Sequence, residues 1–300
     1  MRNCRIRVSL LSLLLGLSAM ILTAQPWDAA TQARGWAKQD KDDSFTFYDP
    51  AAKRLQTWTR DGGSLGSLSL ARLDEVPVRW LLDPRNNAWV ASGATISLFD
   101  KTGRNLTNLK LPAEVGDVCW DSIGFVISFR TPEPYLEKRD FKSHALLWSF
   151  GAKPVRGEGP APQDRRPILL DDAGNVLLAD GRSLNLSILD GSTGQKRSET
   201  SLKLPSGEPA PTLVGAAPDR EPLALWSGKG VVFATVQAAQ VPASARGTLQ
   251  GLVLARLDLT SSTVEFLATG LDATHVLVGV LESDAVFANP RGGLLLVKVR

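Results

Sequence analysis

Residues 81–106, LLDPRNNAWVASGATISLFDKTGRNL, decide the fold. An apolar run enters a polar turn at Asp83, a second run (Ala88–Ala91) leaves it, and a third (Thr95–Phe99) leads into the turn DKTG at Asp100. Aspartate, asparagine and glycine suit such turns: a short side-chain oxygen accepts local backbone N–H groups, and glycine accepts positive φ. The stretch therefore reads as four short antiparallel strands in succession.

The same grammar recurs along the chain, and a repeat of this kind sets the architecture. One series of hairpins runs WLLDPRNNAWVAS (Asp83), CWDSIGFVIS (Asp121), ILLDDAGNVLLAD (Asp171), LALWSGKGVVFAT (Ser227) and VGVLESDAVFAN (Glu282). A second series has its turns at Asp61, Asp100, Asp140, Asp190 and Asp258. GWAKQDKDDSFTF fits the template too, with Trp36 opposite Trp80 and Phe45 opposite Trp89. Six units follow, beginning near residues 35, 78, 117, 166, 222 and 275, at about 46 residues each over the 276 that follow residue 24. Four-stranded units of this length, without helical periodicity between them, predict an all-β, six-bladed β-propeller over residues 35–300. The last unit supplies only three strands, and residues 25–34, QPWDAATQAR, are the candidate for a ring-closing fourth.

The N-terminus, with Arg2, Arg5 and Arg7 ahead of an uncharged apolar run from Val8 to Leu22 and a small residue at Ala24, reads as a signal peptide over residues 1–24. An uncleaved N-terminal anchor is the alternative; no later stretch is long and apolar enough to span a bilayer. Cleavage turns 34 basic and 31 acidic residues into 31 of each, because three arginines leave and no acid does. A near-neutral mature chain disfavours nucleic acid or an anionic membrane surface as the main partner, while leaving room for a local patch. It keeps one cysteine, Cys119, so no internal disulfide is available and stability falls to the core. The expected location is the periplasm or the cell exterior, and the expected state a monomer.

With these residues in place, LLDPRNNAWVASGATISLFDKTGRNL and LLDDAGNVLLADGRSLNLSILDGSTGQ resemble the NHL and related six-bladed propeller repeats of bacterial exported proteins. The resemblance implies a ring of blades whose loops carry recognition.

In such a ring the first-to-second and third-to-fourth turns share one face, and the second-to-third turns and inter-blade links share the other. The long insertions, 152–166, 204–222 and 237–250, all belong to the second face, and binding residues concentrate on loops held by a rigid scaffold. The candidate partner-binding residues are Arg156, Glu158, Asp164, Arg165, Arg166, Asp219, Arg220 and Arg246. They would meet a protein or a small ligand.

Sites for chemistry are sparse. His144 and His275 lack a companion at metal-ligand spacing, and Cys119 sits in an apolar strand as a buried thiol would. P-loop, GxGxxG and GxSxG motifs are absent. Asp83, Asp121 and Asp171 recur at equivalent positions and could ring a Ca²⁺ as in propeller lactonases, but turn chemistry explains their repetition. No catalytic residue, metal or cofactor is assigned. A binding scaffold is the leading reading, and a lactonase-like hydrolase or lyase with a channel-mouth site, Ca²⁺-dependent in one version, is the competing one. Trp58, Trp80, Trp89, Trp120, Trp148 and Trp226 are expected inside strands, packing between blades.

Overall fold

The computed structural model describes residues 20–21, 37–39, 44–49, 52–59, 63–83, 85–131, 133–153, 166–179, 184–211, 226–228, 230–281, 284–288 and 294–298. Their strands form four-stranded antiparallel sheets, five of which use strands consecutive in sequence. The first sheet comprises β2 (Ala37–Gln39), β3 (Phe45–Asp49), β4 (Arg54–Trp58) and β5 (Ser64–Ser69); β1 (Met20–Ile21) precedes it and belongs elsewhere. The second comprises β6 (Arg79–Leu82), β7 (Ala88–Ser92), β8 (Thr95–Phe99) and β9 (Asn105–Lys110). The third comprises β10 (Val115–Trp120), β11 (Gly124–Phe129), β12 (Leu136–Asp140) and β13 (Leu146–Phe150). The fourth comprises β14 (Ile168–Leu170), β15 (Val176–Ala179), β16 (Leu186–Leu189) and β17 (Lys196–Glu199). The fifth comprises β18 (Trp226–Gly228), β19 (Val231–Gln237), β20 (Leu252–Asp258) and β21 (Thr263–Leu271). The remaining sheet joins β22 (Val276–Leu281), β23 (Asp284–Ala288) and β24 (Leu294–Lys298) to β1, ordered β1-β24-β23-β22.

Met20 pairs with Leu296 and Ile21 with Leu295, so the last sheet takes its outer strand from the far N-terminal end. The expected closing segment, 25–34, lies outside the described residues; the strand observed in that role falls inside the stretch read as a signal peptide.

First strands neighbour one another around a centre: β6 lies by β10, β10 by β14, β14 by β18, β18 by β22, and β22 by β2. The arrangement is a β-propeller. Each middle strand buries both faces, which is why these segments read as continuous apolar runs rather than as alternating ones. On β7, Val90 packs toward the first sheet with Tyr48 and Leu55, while Trp89 and Ala91 pack toward the third with Phe125 and Ile127. The other seams repeat this, with Val126 and Trp148 against Val176, Leu177 against Val232 and Val253, and Phe233 against Phe287. Trp80, Trp89 and Trp148 are buried in these seams as expected, whereas Trp58 and Trp120 are only half-buried.

The turns follow their aspartates. Asp83 Oδ1 accepts the Arg85 and Asn87 amides, both at 2.8 Å, and Asp171 does the same for Ala173 and Asn175 at 2.9 and 2.7 Å. In each the asparagine side chain closes the loop onto Oδ2 at 2.8 Å. Asp100, Asp140, Asp190 and Asp258 hold the third-to-fourth turns in the same manner. These hydrogen bonds favour the ionised carboxylate and hold the acids of Asp100, Asp140 and Asp258 below the usual range.

Candidate functional site

Each first strand enters from the face carrying the inter-sheet links and leaves at the face carrying the short turns, called here the link face and the turn face. The link-face ends of β6, β10 and β14 bring together a polar cluster around Asp117. This residue is 2% exposed inside the apolar strand VGDVCW. A buried carboxylate is tolerated only when paired and hydrogen-bonded. Arg79, at the start of β6, donates Nε to Oδ1 at 2.6 Å and Nη2 to Oδ2 at 3.4 Å. The Val118 amide donates to Oδ1 at 2.9 Å, and the Ile168 amide, on β14, to Oδ2 at 3.1 Å. One carboxylate thus ties three sheets together. Ser128 adds a crossing bond, donating to the Arg166 carbonyl at 2.6 Å. A register shift between Val115 and Asp117 accommodates the strand's turn into this cluster.

Beside it, Arg130 Nη1 meets Glu114 Oε2 at 3.2 Å, linking the second-to-third turn of the third sheet to the link that precedes β10. The link ahead of β22 carries His275, whose Nδ1 lies 3.0 Å from Asp272 Oδ1. Thr274, through its hydroxyl and its amide, and then His275 lower the Asp272 acid to about 2.

Two sequence-predicted residues are described here. Arg166 joins the cluster through its carbonyl, at the entry to β14. Arg246 turns inward on its own loop, donating Nε to the Val241 carbonyl at 2.9 Å and Nη2 to that of Ala239 at 3.1 Å. Arg156, Glu158, Asp164, Arg165, Asp219 and Arg220 lie outside the described residues. The described parts of two insertions serve the seam between the fourth and fifth sheets: Ala238 and Val241 are buried in it beside Leu202, with Leu204 and Leu249 packed against them. Lys203 runs along the outer strand β21, donating to Ser262 O at 3.0 Å and accepting from the Val264 amide at 2.8 Å. The residue leading into the 204–222 insertion is thus paired along a sheet edge. Arg79 and Asp117 were missed in the sequence, though an aspartate inside an otherwise apolar strand is itself a sign of a buried pair.

On the turn face, Lys138 is buried and donates to Asp121 and, at 2.7 Å, to the Gly191 carbonyl of the fourth sheet. Burial alone would raise the Asp121 acid, but Lys138 and the Gly124 and Ile123 amides hold it below the usual range. Asp83, Asp121 and Asp171 are thus committed to their turns, and among the described residues no three of His, Cys, Asp and Glu gather as a metal site. His144, at φ 58°, stands edge-on to Trp89 at 5.9 Å in an aromatic group where Trp120 stacks on Phe141. Burial pushes the Cys119 thiol well up, away from the nucleophilic thiolate.

No family model matches this chain, and no curated protein matches it by sequence. Solved structures do. A putative exported protein from Bacteroides fragilis aligns at TM-score 0.58 and 10% identity, over 94% of this chain and 95% of that one. A streptogramin B lyase aligns at TM-score 0.53 and 11% identity, over 90% and 95%. Virginiamycin B lyase from Staphylococcus aureus aligns at TM-score 0.52 and 14% identity, over 88% and 80%. At such identities the likeness shows the β-propeller fold alone.

Proposed function

We propose that this chain is an exported, six-bladed β-propeller of NHL-like kind that recognises a protein or small-molecule partner at the mouth of its channel on the link face. The Asp117 cluster carries this reading. It fixes three first strands at that mouth and sets Arg79, Arg166 and the Glu114–Arg130 pair on a stiff rim. Rigid elements bearing charged, partly exposed groups beside variable loops are what a recognition surface requires. Arg156, Glu158, Asp164, Arg165, Asp219 and Arg220 remain partner-binding candidates on the strength of the sequence alone. The apolar N-terminal stretch and its arginines support export, as does a protein described as exported among the structural neighbours.

A second reading, a lyase, is favoured by one observation. His275 is oriented by Asp272 at the entry to β22, an arrangement suited to proton transfer. Two neighbours are lyases by their descriptions, and a further structure is of a virginiamycin B lyase made catalytically inactive by replacing a histidine with alanine.

Photo-crosslinking side chains at Glu133 and Ala273 on the link face, and at Asp172 and Thr193 on the turn face, test the binding reading in producing cells. Discrete adducts from the link-face positions alone support it. Adducts from the turn face alone, or from neither face, overturn it.

A further inference from the structure

We propose that the turn face of the first three sheets docks onto an anionic lipid surface through leucines placed at a recurring β-bulge. The bulge sits at the same place in four sheets, just after the third-to-fourth turn. In the first sheet Thr57 pairs with Gly66 and Trp58 with Ser64, so Leu65 has no partner. In the second, Leu98 pairs with Thr107 and Phe99 with Asn105, skipping Leu106. In the third, Lys138 pairs with Trp148 and Arg139 with Leu146, skipping Leu147. In the fourth the skipped residue is Arg197, between the Ile188–Ser198 and Leu189–Lys196 pairs.

A bulge on an outer strand is an ordinary defence of an open edge, and a polar residue serves it well. Arg197 does so, paired with Asp190. Three leucines in the same position, 56%, 50% and 47% exposed, add nothing to that defence and place apolar surface in water. The third sheet adds Ile123 and Leu146, both exposed, and the Ile123 carbonyl accepts the Phe141 amide at 3.2 Å, so its two turns lie side by side. The fifth sheet has no bulge here: Val264 is buried and Lys203 covers the edge.

Charge and spacing select the occupant. Lys101, Arg104 and Lys142 are exposed beside the leucines of the second and third sheets and outnumber Asp100 and Asp140, whose ionised carboxylates are bonded back to their own turn amides. The leucines stand singly on separate sheets among polar neighbours. A bound peptide or helix needs a continuous trough, whereas a lipid interface accepts isolated apolar side chains at any spacing and offers phosphates to the cations around them.

The test is co-sedimentation of the full chain with vesicles of phosphatidylcholine alone or with about 30% phosphatidylglycerol, an anionic content that engages juxtaposed basic residues. The full chain is expected to pellet with the anionic vesicles. Leu106→Glu with Leu147→Glu should weaken that binding about tenfold, and Lys101→Glu with Arg104→Glu several-fold, with melting temperatures near the parent's. Pelleting that both pairs leave unchanged would assign attachment to the apolar run at 8–22 and overturn the proposal. Absence of pelleting would also overturn it, as would a leucine pair that only converts a dimer to a monomer.

Discussion

The two faces of the propeller hold themselves together differently. On the turn face, each aspartate bonds amides two to four residues ahead of it, and the pattern recurs from sheet to sheet. On the link face, one aspartate reaches a guanidinium 38 residues away and an amide 51 residues away, and nothing like it recurs in the other described sheets. Repetition marks what every unit needs in order to fold. The singular arrangement marks where one carboxylate locks three sheets, beyond the two that Lys138 and Trp148 join through Gly191 on the turn face, and where a surface peculiar to this chain is built.

The largest effect should come from the link face. Asp117→Ala leaves Arg79 beside an empty place and two amides without acceptors, and should cost about 3–5 kcal/mol in denaturant unfolding. Combining Arg79→Met with Asp117→Leu should cost less than Asp117→Ala alone, because an apolar pair leaves no buried charge behind. A double variant worse than the single one would show that the cluster does more than satisfy its own charges.

Next stands the seam between the third and fourth sheets. Gly194 has φ 71°, and a Cβ there would lie 2.6 Å from the Trp148 ring, which itself donates to the Gly191 carbonyl at 3.1 Å. Gly194→Ala should destabilise by about 1–3 kcal/mol and lower the melting temperature. Asp171→Ala removes a set of purely local bonds and should cost about 1 kcal/mol in the same assay. A loss as large as that of Asp117 would erase the distinction between the faces.

The turn aspartates also set an acid limit. Asp121 and Asp258 on the turn face have folded-state acids lower than usual, and Asp272, bonded in the same local way on the link face, falls to about 2. A depressed carboxylate contributes stability above its unfolded value near pH 3.9 and loses it as pH falls through the folded value. The melting temperature should therefore show little dependence on these groups above about pH 5 and decline from about pH 4 toward pH 2.

The difference between the faces also explains what could be read in the sequence. The units at 78, 117 and 166 were legible because Asp83, Asp121 and Asp171 act within their own hairpins, where sequence neighbours are spatial neighbours. Asp117 was not, since its partners come from two other sheets. The bulged Leu65, Leu106 and Leu147 were hidden because an extra residue breaks the alternation from which burial is inferred. Pairing of Met20 and Ile21 with β24 was obscured because an apolar run behind arginines reads equally as a leader. Arg246 was visible as a charge in a loop, but its bonds to Ala239 and Val241 depend on how that loop closes.

The most direct test of this division is a pair of double-mutant cycles, one on Arg79 and Asp117 at the link face and one on Arg197 and Asp190 at the turn face. Arg79 and Asp117 should couple by at least about 2 kcal/mol, and the exposed pair by nothing resolvable. Equal couplings, or a link-face coupling within error of zero, would contradict it.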